Sequence, residues 1–95
     1  MGDFKMNKKM LTALDRTMQR YVSPYAYSIG RRREDSLCLV QDDGKWVVTI
    51  VERGKDEIRY SSSSLFNSCL SFIKNAVGPT IKDEVCDQFG QELLR

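Results

Sequence analysis

Residues 36–51 read SLCLVQDDGKWVVTIV, two apolar runs joined by an Asp-Gly pair. Asp43-Gly44 between such runs favours a type I′ hairpin turn, in which both central residues take positive φ. The returning run is rich in β-branched residues, which favour strands, and both of its faces are apolar. The stretch therefore predicts an antiparallel hairpin whose second strand, 46–51, lies in the middle of a sheet with Trp46 in the core.

The segments on either side of this hairpin extend the sheet. Residues 25–29 alternate between apolar and small or polar side chains, which is the period of a strand. The polar residues 30–35, GRRRED, then form the connection to the hairpin. After the hairpin, residues 53–56 predict a second turn, and residues 57–60 predict a short strand at an edge. Four strands in succession predict an antiparallel meander.

A helix precedes the strands. Apolar residues recur three and four positions apart from Met10 to Val22, with charged residues between them. Asn7 is the expected N-cap. Ser23-Pro24 ends the helix, because the residue before a proline avoids the α region.

Two further helices follow the strands. Residues 65–77 carry a broad apolar face, with Ser63 or Ser64 as the expected N-cap and Gly78-Pro79 as the stop. The last helix begins near Thr80, which forms a capping-box pattern with Asp83.

The predicted order is α-β-β-β-β-α-α over residues 1–95. We read it as a single α+β domain with an N-terminal helix, a four-stranded antiparallel meander and two C-terminal helices packed on the sheet. The chain is 41% hydrophobic and 29% charged, which is ordinary for one hydrophobic core at this length.

The absence of histidine from the sequence excludes several kinds of chemistry. It removes Ser-His and Cys-His nucleophilic pairs and mixed Cys/His zinc sites. Three cysteines cannot supply a four-cysteine zinc site, and an odd number without regular spacing is no disulfide framework. We expect Cys38, Cys69 and Cys86 to pack as small apolar residues in a reducing compartment. With no phosphate-binding glycine motif either, we predict a protein that is not an enzyme and has no cofactor, no metal and no small-molecule substrate.

The distribution of charge and hydropathy bears on location and partners. No apolar stretch approaches the about 20 residues that span a bilayer, and the N-terminus lacks the apolar core of a signal peptide. We therefore expect a cytoplasmic protein with no membrane partner. A formal charge of +2 does not demand a nucleic-acid partner. We expect a solvated loop at residues 31–33, where the positive charges of three arginines are partly cancelled by Glu34 and Asp35. We expect the basic side of the first helix to be an ordinary solvent-exposed face.

Two turn motifs and the helix after them follow one another at a recognisable spacing. The motifs are Asp42-Asp43-Gly44-Lys45-Trp46 and Glu52-Arg53-Gly54-Lys55, and the helix contains Cys69 and Phe72. This arrangement resembles a family of small immunity proteins from bacterial polymorphic toxin and contact-dependent growth inhibition systems. The resemblance covers about 40 of the 95 residues. It implies a cytoplasmic protein that forms a tight complex with one cognate toxin domain, such as a nuclease, and neutralises it, and it implies no catalytic residues.

Acidic residues concentrate in two places, which are the candidate contacts with a toxin. Inhibitors of basic nucleases are often acidic, because complementary charge steers the two proteins together. The alternative reading is that these are ordinary solvated turns and helix-start carboxylates. The candidates at the hairpin ends are Asp42, Asp43, Glu52, Asp56 and Glu57, and those on the last helix are Asp83, Glu84, Asp87 and Glu92.

Two other functions fit the same order of elements. Double-stranded-RNA-binding modules also run helix, three strands, helix, but they place a lysine cluster at the start of the second helix. Here residues 63–67 read SSLFN, and no lysine follows until Lys74, which argues against a nucleic-acid partner. A secretion chaperone, which would hold an effector peptide in a partly unfolded form, is not excluded. A small enzyme ranks last.

Overall fold

The computed structural model describes residues 2–95, with side chains from Met6 onward. Its elements confirm the predicted order of helices and strands. They are α1 (Gly2–Tyr21), β1 (Tyr27–Ile29), β2 (Ser36–Asp42), β3 (Lys45–Glu52), β4 (Lys55–Ser62), α2 (Leu65–Ala76) and α3 (Lys82–Leu93).

The four strands form one sheet in the order β1-β2-β3-β4. The central position of β3 and the edge position of β4 are confirmed. The prediction of a fully antiparallel meander is wrong, because β1 pairs with β2 in parallel, Tyr27 opposite Leu37 and Ile29 opposite Leu39. The pairs β2–β3 and β3–β4 are antiparallel.

The connection between β1 and β2 accounts for the parallel pair. The backbone N–H of Gly30 donates to the Leu39 carbonyl at 2.8 Å, and that of Asp35 donates to the Val51 carbonyl at 2.7 Å. Residues 30–35 therefore run back along the sheet to the start of β2 instead of turning directly into it. Between these ends the N–H of Arg33 lies 3.3 Å from Sγ of Cys38. The segment that reads as a polar turn is a crossover that lies over one face of the sheet.

Both hairpin turns use paired residues with positive φ. Asp43 and Gly44 have φ of 52° and 77°, and Arg53 and Gly54 have φ of 53° and 74°. The type I′ prediction for Asp43-Gly44 is confirmed, since that turn places both central residues in the left-handed region. The second turn is tighter than predicted, and β4 is correspondingly longer, because Lys55 pairs with Glu52.

The helix ends differ from the predictions in two places. Asn7 lies inside α1 instead of capping it, since neither glycine nor proline interrupts residues 3–7. Ser64 caps α2 as predicted, and its Oγ accepts the N–H of Asn67 at 3.2 Å. The capping box expected at Thr80 is absent; the N-cap of α3 is Ile81, which makes no side-chain cap hydrogen bond.

Each face of the sheet buries a separate cluster of side chains. On the face covered by helices, α2 lies over β2, β3 and β4, while α3 packs chiefly against α1 and α2. The predicted packing of both C-terminal helices on the sheet therefore holds for α2 and not for α3. Trp46 is in this core as predicted, at 8% exposure. The second face buries Cys38, Val40, Val47 and Val51. No helix in residues 2–95 combines the length and the apolar character needed to cross a membrane.

Candidate partner-binding surfaces

The tip of the β3–β4 hairpin brings three of the predicted contact residues together. Glu52, Asp56 and Glu57 surround a depression of about 370 Å³, which is also lined by Ile50 and by the basic residues of the turn. Glu34 stabilises the turn, because its two carboxylate oxygens accept the N–H of Gly54 at 3.0 and 3.2 Å. We call these residues, 50–57, the hairpin tip.

Two of the three carboxylates of the hairpin tip, Asp56 and Glu57, are paired with arginines. Asp56 accepts from Nε of Arg32 at 2.9 Å, and Glu57 lies 3.3 Å from Arg59. Arg32 also reaches Asp42 at 3.4 Å, although Asp42 is at the far end of β2. The hydrogen bond with Asp56 raises the pKa of Arg32, against the opposing effect of burial. The tip is therefore a surface of mixed charge and not an acidic patch.

The arginine run 31–33 is exposed, as predicted, but it is not offset by its neighbours in sequence. Arg33 donates to the carbonyls of Pro24 and Tyr27 at 2.7 and 2.6 Å and to Oγ of Ser36 at 3.1 Å. It thereby ties the crossover to β1. Arginine forms such multiple contacts because its planar group presents several donors at once.

The remaining predicted contact residues lie elsewhere. Asp43 is in the β2–β3 turn, at the opposite end of β3 from the β3–β4 turn. Asp83, Glu84 and Asp87 are exposed on α3 in the helical layer. The structure therefore divides the predicted contact residues between the sheet and the helical layer. Asp83 and Glu84 stand in the first turn of α3, where carboxylates complement the helix dipole.

Glu92, the fourth acidic residue of the last helix predicted as a contact, is instead a buried carboxylate. Its side chain is 2% exposed and lies 3.0 Å from Arg95 and 3.6 Å from Arg20 of α1. Burial acts to raise the pKa of Glu92, but the hydrogen bonds and charges of its neighbours outweigh it and lower the pKa. The i, i+3 spacing to Arg95 was the signal available in the sequence. We assign Glu92 a structural role that joins α3 to α1.

A groove of about 1130 Å³ lies between α1 and β1. We call it the α1/β1 groove. Apolar side chains in its lining are Leu11, Tyr27, Ile29 and Trp46, and basic ones are Lys8, Arg16, Arg31 and Arg33.

One carboxylate, Asp15, lines the α1/β1 groove. It accepts hydrogen bonds from Gln19 at 2.9 Å and from the hydroxyl of Tyr27 at 3.3 Å. Burial and the neighbouring charge of Asp15 raise the pKa of Tyr27. Sequence reasoning missed this groove because its two walls come from segments that were read independently.

The three cysteines are free thiols, and two of them are buried. Burial raises the pKa of Cys69 to about 12, so this thiol is not a nucleophile at neutral pH. Burial also raises the pKa of the half-buried Cys86. Among the side chains that the structure describes, from Met6 onward, no group of three or more from His, Cys, Asp or Glu is placed to hold a metal ion.

Comparison of the chain with protein-family models, with curated proteins and with solved structures found no significant match.

Proposed function

We propose that this protein is an immunity protein that binds a cognate bacterial toxin domain, nucleases being one candidate class, and neutralises it in the cytoplasm through a tight protein–protein complex. The observation that carries the proposal is the hairpin tip. The Glu52-Arg53-Gly54-Lys55 motif of the resemblance forms the turn, and Glu52, Asp56 and Glu57 surround one depression with Ile50.

The arrangement of the hairpin tip suits recognition of a folded partner. Charged side chains surround the half-buried Ile50, which is the polar rim and apolar centre typical of protein interfaces. The Glu34 hydrogen bonds to Gly54 hold the turn in place before binding. A preformed surface loses less conformational entropy on association than a mobile one. The tip carries both carboxylates and cations, and such a surface favours one orientation of a partner over others, because like charges repel in the wrong register.

The experiment pairs this protein with the product of the adjacent upstream reading frame. The two are co-expressed, and growth rescue and co-purification of a 1:1 complex are measured. The proposal expects a toxic neighbour, rescue by this protein and a stable complex. A harmless neighbour, or persistent toxicity with no complex, would refute this toxin pairing.

Charge reversal locates the contact surface within the same assay. Glu52→Lys and Glu57→Lys change exposed carboxylates of the hairpin tip, and Asp87→Lys is the matched control on α3. We expect the tip variants to weaken the complex by about tenfold or more and the control to leave it nearly unchanged. Loss of the complex with Asp87→Lys alone would move the contact surface to α3. Circular dichroism of each variant verifies that the fold is retained.

The alternatives predict different outcomes in the same protein preparation. A double-stranded-RNA-binding module would bind duplex RNA with an affinity that falls steeply with salt. A secretion chaperone would bind an unfolded peptide segment of an effector and not its folded domain. Either result without a toxin complex would replace the immunity proposal.

A further inference from the structure

We infer that the α1/β1 groove is a docking site for an extended, acidic segment of another protein, which pairs with the free edge of β1 as a fifth strand. This goes beyond toxin neutralisation at the hairpin tip, because it concerns a different surface and requires no toxin. The inference rests on the hydrogen-bonding pattern of β1, the length of the groove and the charge of its walls.

The outer edge of β1 carries backbone groups that do not bond to β2. The carbonyl of Ala26 accepts from Leu37, and the N–H of Gly30 donates to Leu39, so alternate residues 26, 28 and 30 bond to β2. By the same alternation, the N–H and C=O groups of Tyr27 and Ile29 point away from β2. β1 is the first strand of the sheet, so this side of it has no neighbouring strand. An extended peptide can add there by main-chain hydrogen bonds.

The wall opposite β1 is a face of α1. Lys8, Leu11, Asp15 and Gln19 line it at three- and four-residue spacing, which places them on one side of the helix. From Lys8 to Gln19 the helix rises about 17 Å. That length matches about five residues of an extended strand. The groove is therefore long enough for one strand to lie between the helix and the edge of the sheet.

The charge of the walls selects an acidic occupant. Lys8, Arg16 and Arg31 line the groove with exposed side chains. None of these three forms a salt bridge with another described residue. The carboxylate of Asp15 in the lining is already hydrogen-bonded to Gln19 and Tyr27. A segment carrying Asp or Glu would meet unpaired cations on both walls, and its apolar residues would meet Leu11 and the other apolar side chains of the groove.

The structure also limits unspecific pairing at this edge. β1 is only three residues long, and a side chain, that of Arg33, covers the Tyr27 carbonyl at 2.6 Å. Short edge strands and charged side chains at the edge are the devices that prevent self-association of sheets. The outward N–H and C=O of Ile29 stay accessible beside the basic walls. Access to the edge therefore depends on charge, which favours an acidic strand over a second copy of this basic-walled edge.

The test uses the full-length protein and a fluorescent probe peptide of about eight residues that alternates valine and glutamate. Three comparison ligands are the same peptide with lysine in place of glutamate, the same peptide N-methylated at alternate residues, and a single-stranded RNA oligonucleotide. We expect fluorescence anisotropy to detect the valine–glutamate peptide and not the lysine peptide. N-methylation should remove binding because it removes the donors that pair with the strand edge. Equal binding of the N-methylated peptide, or binding of RNA in preference to the peptide, would overturn the inference, as would no binding of the probe.

Variants on α1 test the charged wall with a matched control. Lys8 and Arg16 line the groove, whereas Lys9 is exposed on the same helix outside it. We expect Lys8→Glu and Arg16→Glu to weaken peptide binding by about tenfold together, and Lys9→Glu by less than about twofold. Equal effects of Lys8→Glu and Lys9→Glu would mean that net charge, and not the groove, attracts the peptide.

Amide hydrogen exchange reports the edge pairing directly. Peptide addition should protect the outward N–H of Ile29, while the N–H of Ser28, which points to β2, should change little. Peptide binding without protection at Ile29 would overturn strand addition. A positive result would stand even if the neighbouring gene product proved harmless, so this experiment and the toxin test can fail separately.

Discussion

Replacing Thr49 with valine should stabilise the protein. Thr49 lies in the central strand β3 at 0% exposure, beside the apolar cluster on the second face of the sheet. Among the described residues its Oγ1 has no hydrogen-bond partner. A buried hydroxyl without a partner has lost its hydrogen bonds to water and gained none, which costs about 1–3 kcal/mol. Valine has nearly the same shape and puts a methyl group where the hydroxyl was.

The matched control is Thr17→Val. Thr17 is also 0% exposed, but its hydroxyl donates to the Ala13 carbonyl at 2.8 Å. This substitution removes a satisfied hydrogen bond, so we expect a loss of about 0.5–1.5 kcal/mol. Both substitutions exchange one β-branched residue for another, so secondary-structure propensity changes little in either element. The opposite signs of the two effects isolate the state of the hydroxyl.

Urea and thermal unfolding followed by circular dichroism measure both variants. For Thr49→Val we expect a gain of about 1–2 kcal/mol in the free energy of unfolding, with an unchanged urea m-value. For a domain of this size, each kcal/mol corresponds to about 4–8 °C in Tm. A Thr49→Val protein that is no more stable than the parent would show that Oγ1 has a partner in solution and would refute the reasoning.

Further expectations concern one carboxylate, one turn and one helix cap. Because the pKa of Glu92 is lowered in the folded protein, its ionised carboxylate stabilises the fold above its ordinary pKa, and this stabilisation is lost as pH falls through the folded pKa. Glu92→Gln should therefore destabilise the protein at pH 7 and much less in acid. An equal loss of stability at both pH values in urea unfolding would contradict this. Gly44→Ala should cost about 1–2 kcal/mol because φ is +77°, whereas Gly78→Ala, also in open space but not at positive φ, should cost little. Ser64→Ala should cost about 1 kcal/mol through loss of the α2 cap, and the exposed Ser63→Ala should be near neutral; similar thermal unfolding of the two variants would argue against the cap.

The predictions from sequence were most successful where the signal is local. The Asp43-Gly44 turn requires positive φ at both positions, and β3 has apolar residues on both of its faces, which favours burial on both sides of the sheet. The turn and the strand could therefore be predicted without knowledge of the other elements. The Ser64 cap is equally local, because its Oγ bonds to a backbone N–H three residues later.

The errors have a common physical cause. Residues 30–35 have the composition of a turn, but they cross the sheet because Arg33 and Cys38 contact each other over its second face. The candidate site failed in the same way. Asp42 and Asp56 were chosen as acidic contacts, yet Arg32 pairs with both. None of these pairings has a local sequence signal, since each depends on how distant strands are placed.

Hydrophobic period, capping and turn chemistry act over a few residues, so the type and order of the helices and strands could be predicted from the sequence. The tertiary structure decided the direction of β1, the pairing of the surface charges and the existence of the α1/β1 groove. The groove joins Lys8 and Arg16 of the first helix to Ile29 and Arg31 beside the first strand. A site of this kind cannot be read from either segment, because neither the free strand edge nor the facing helix is a binding surface until packing places them side by side.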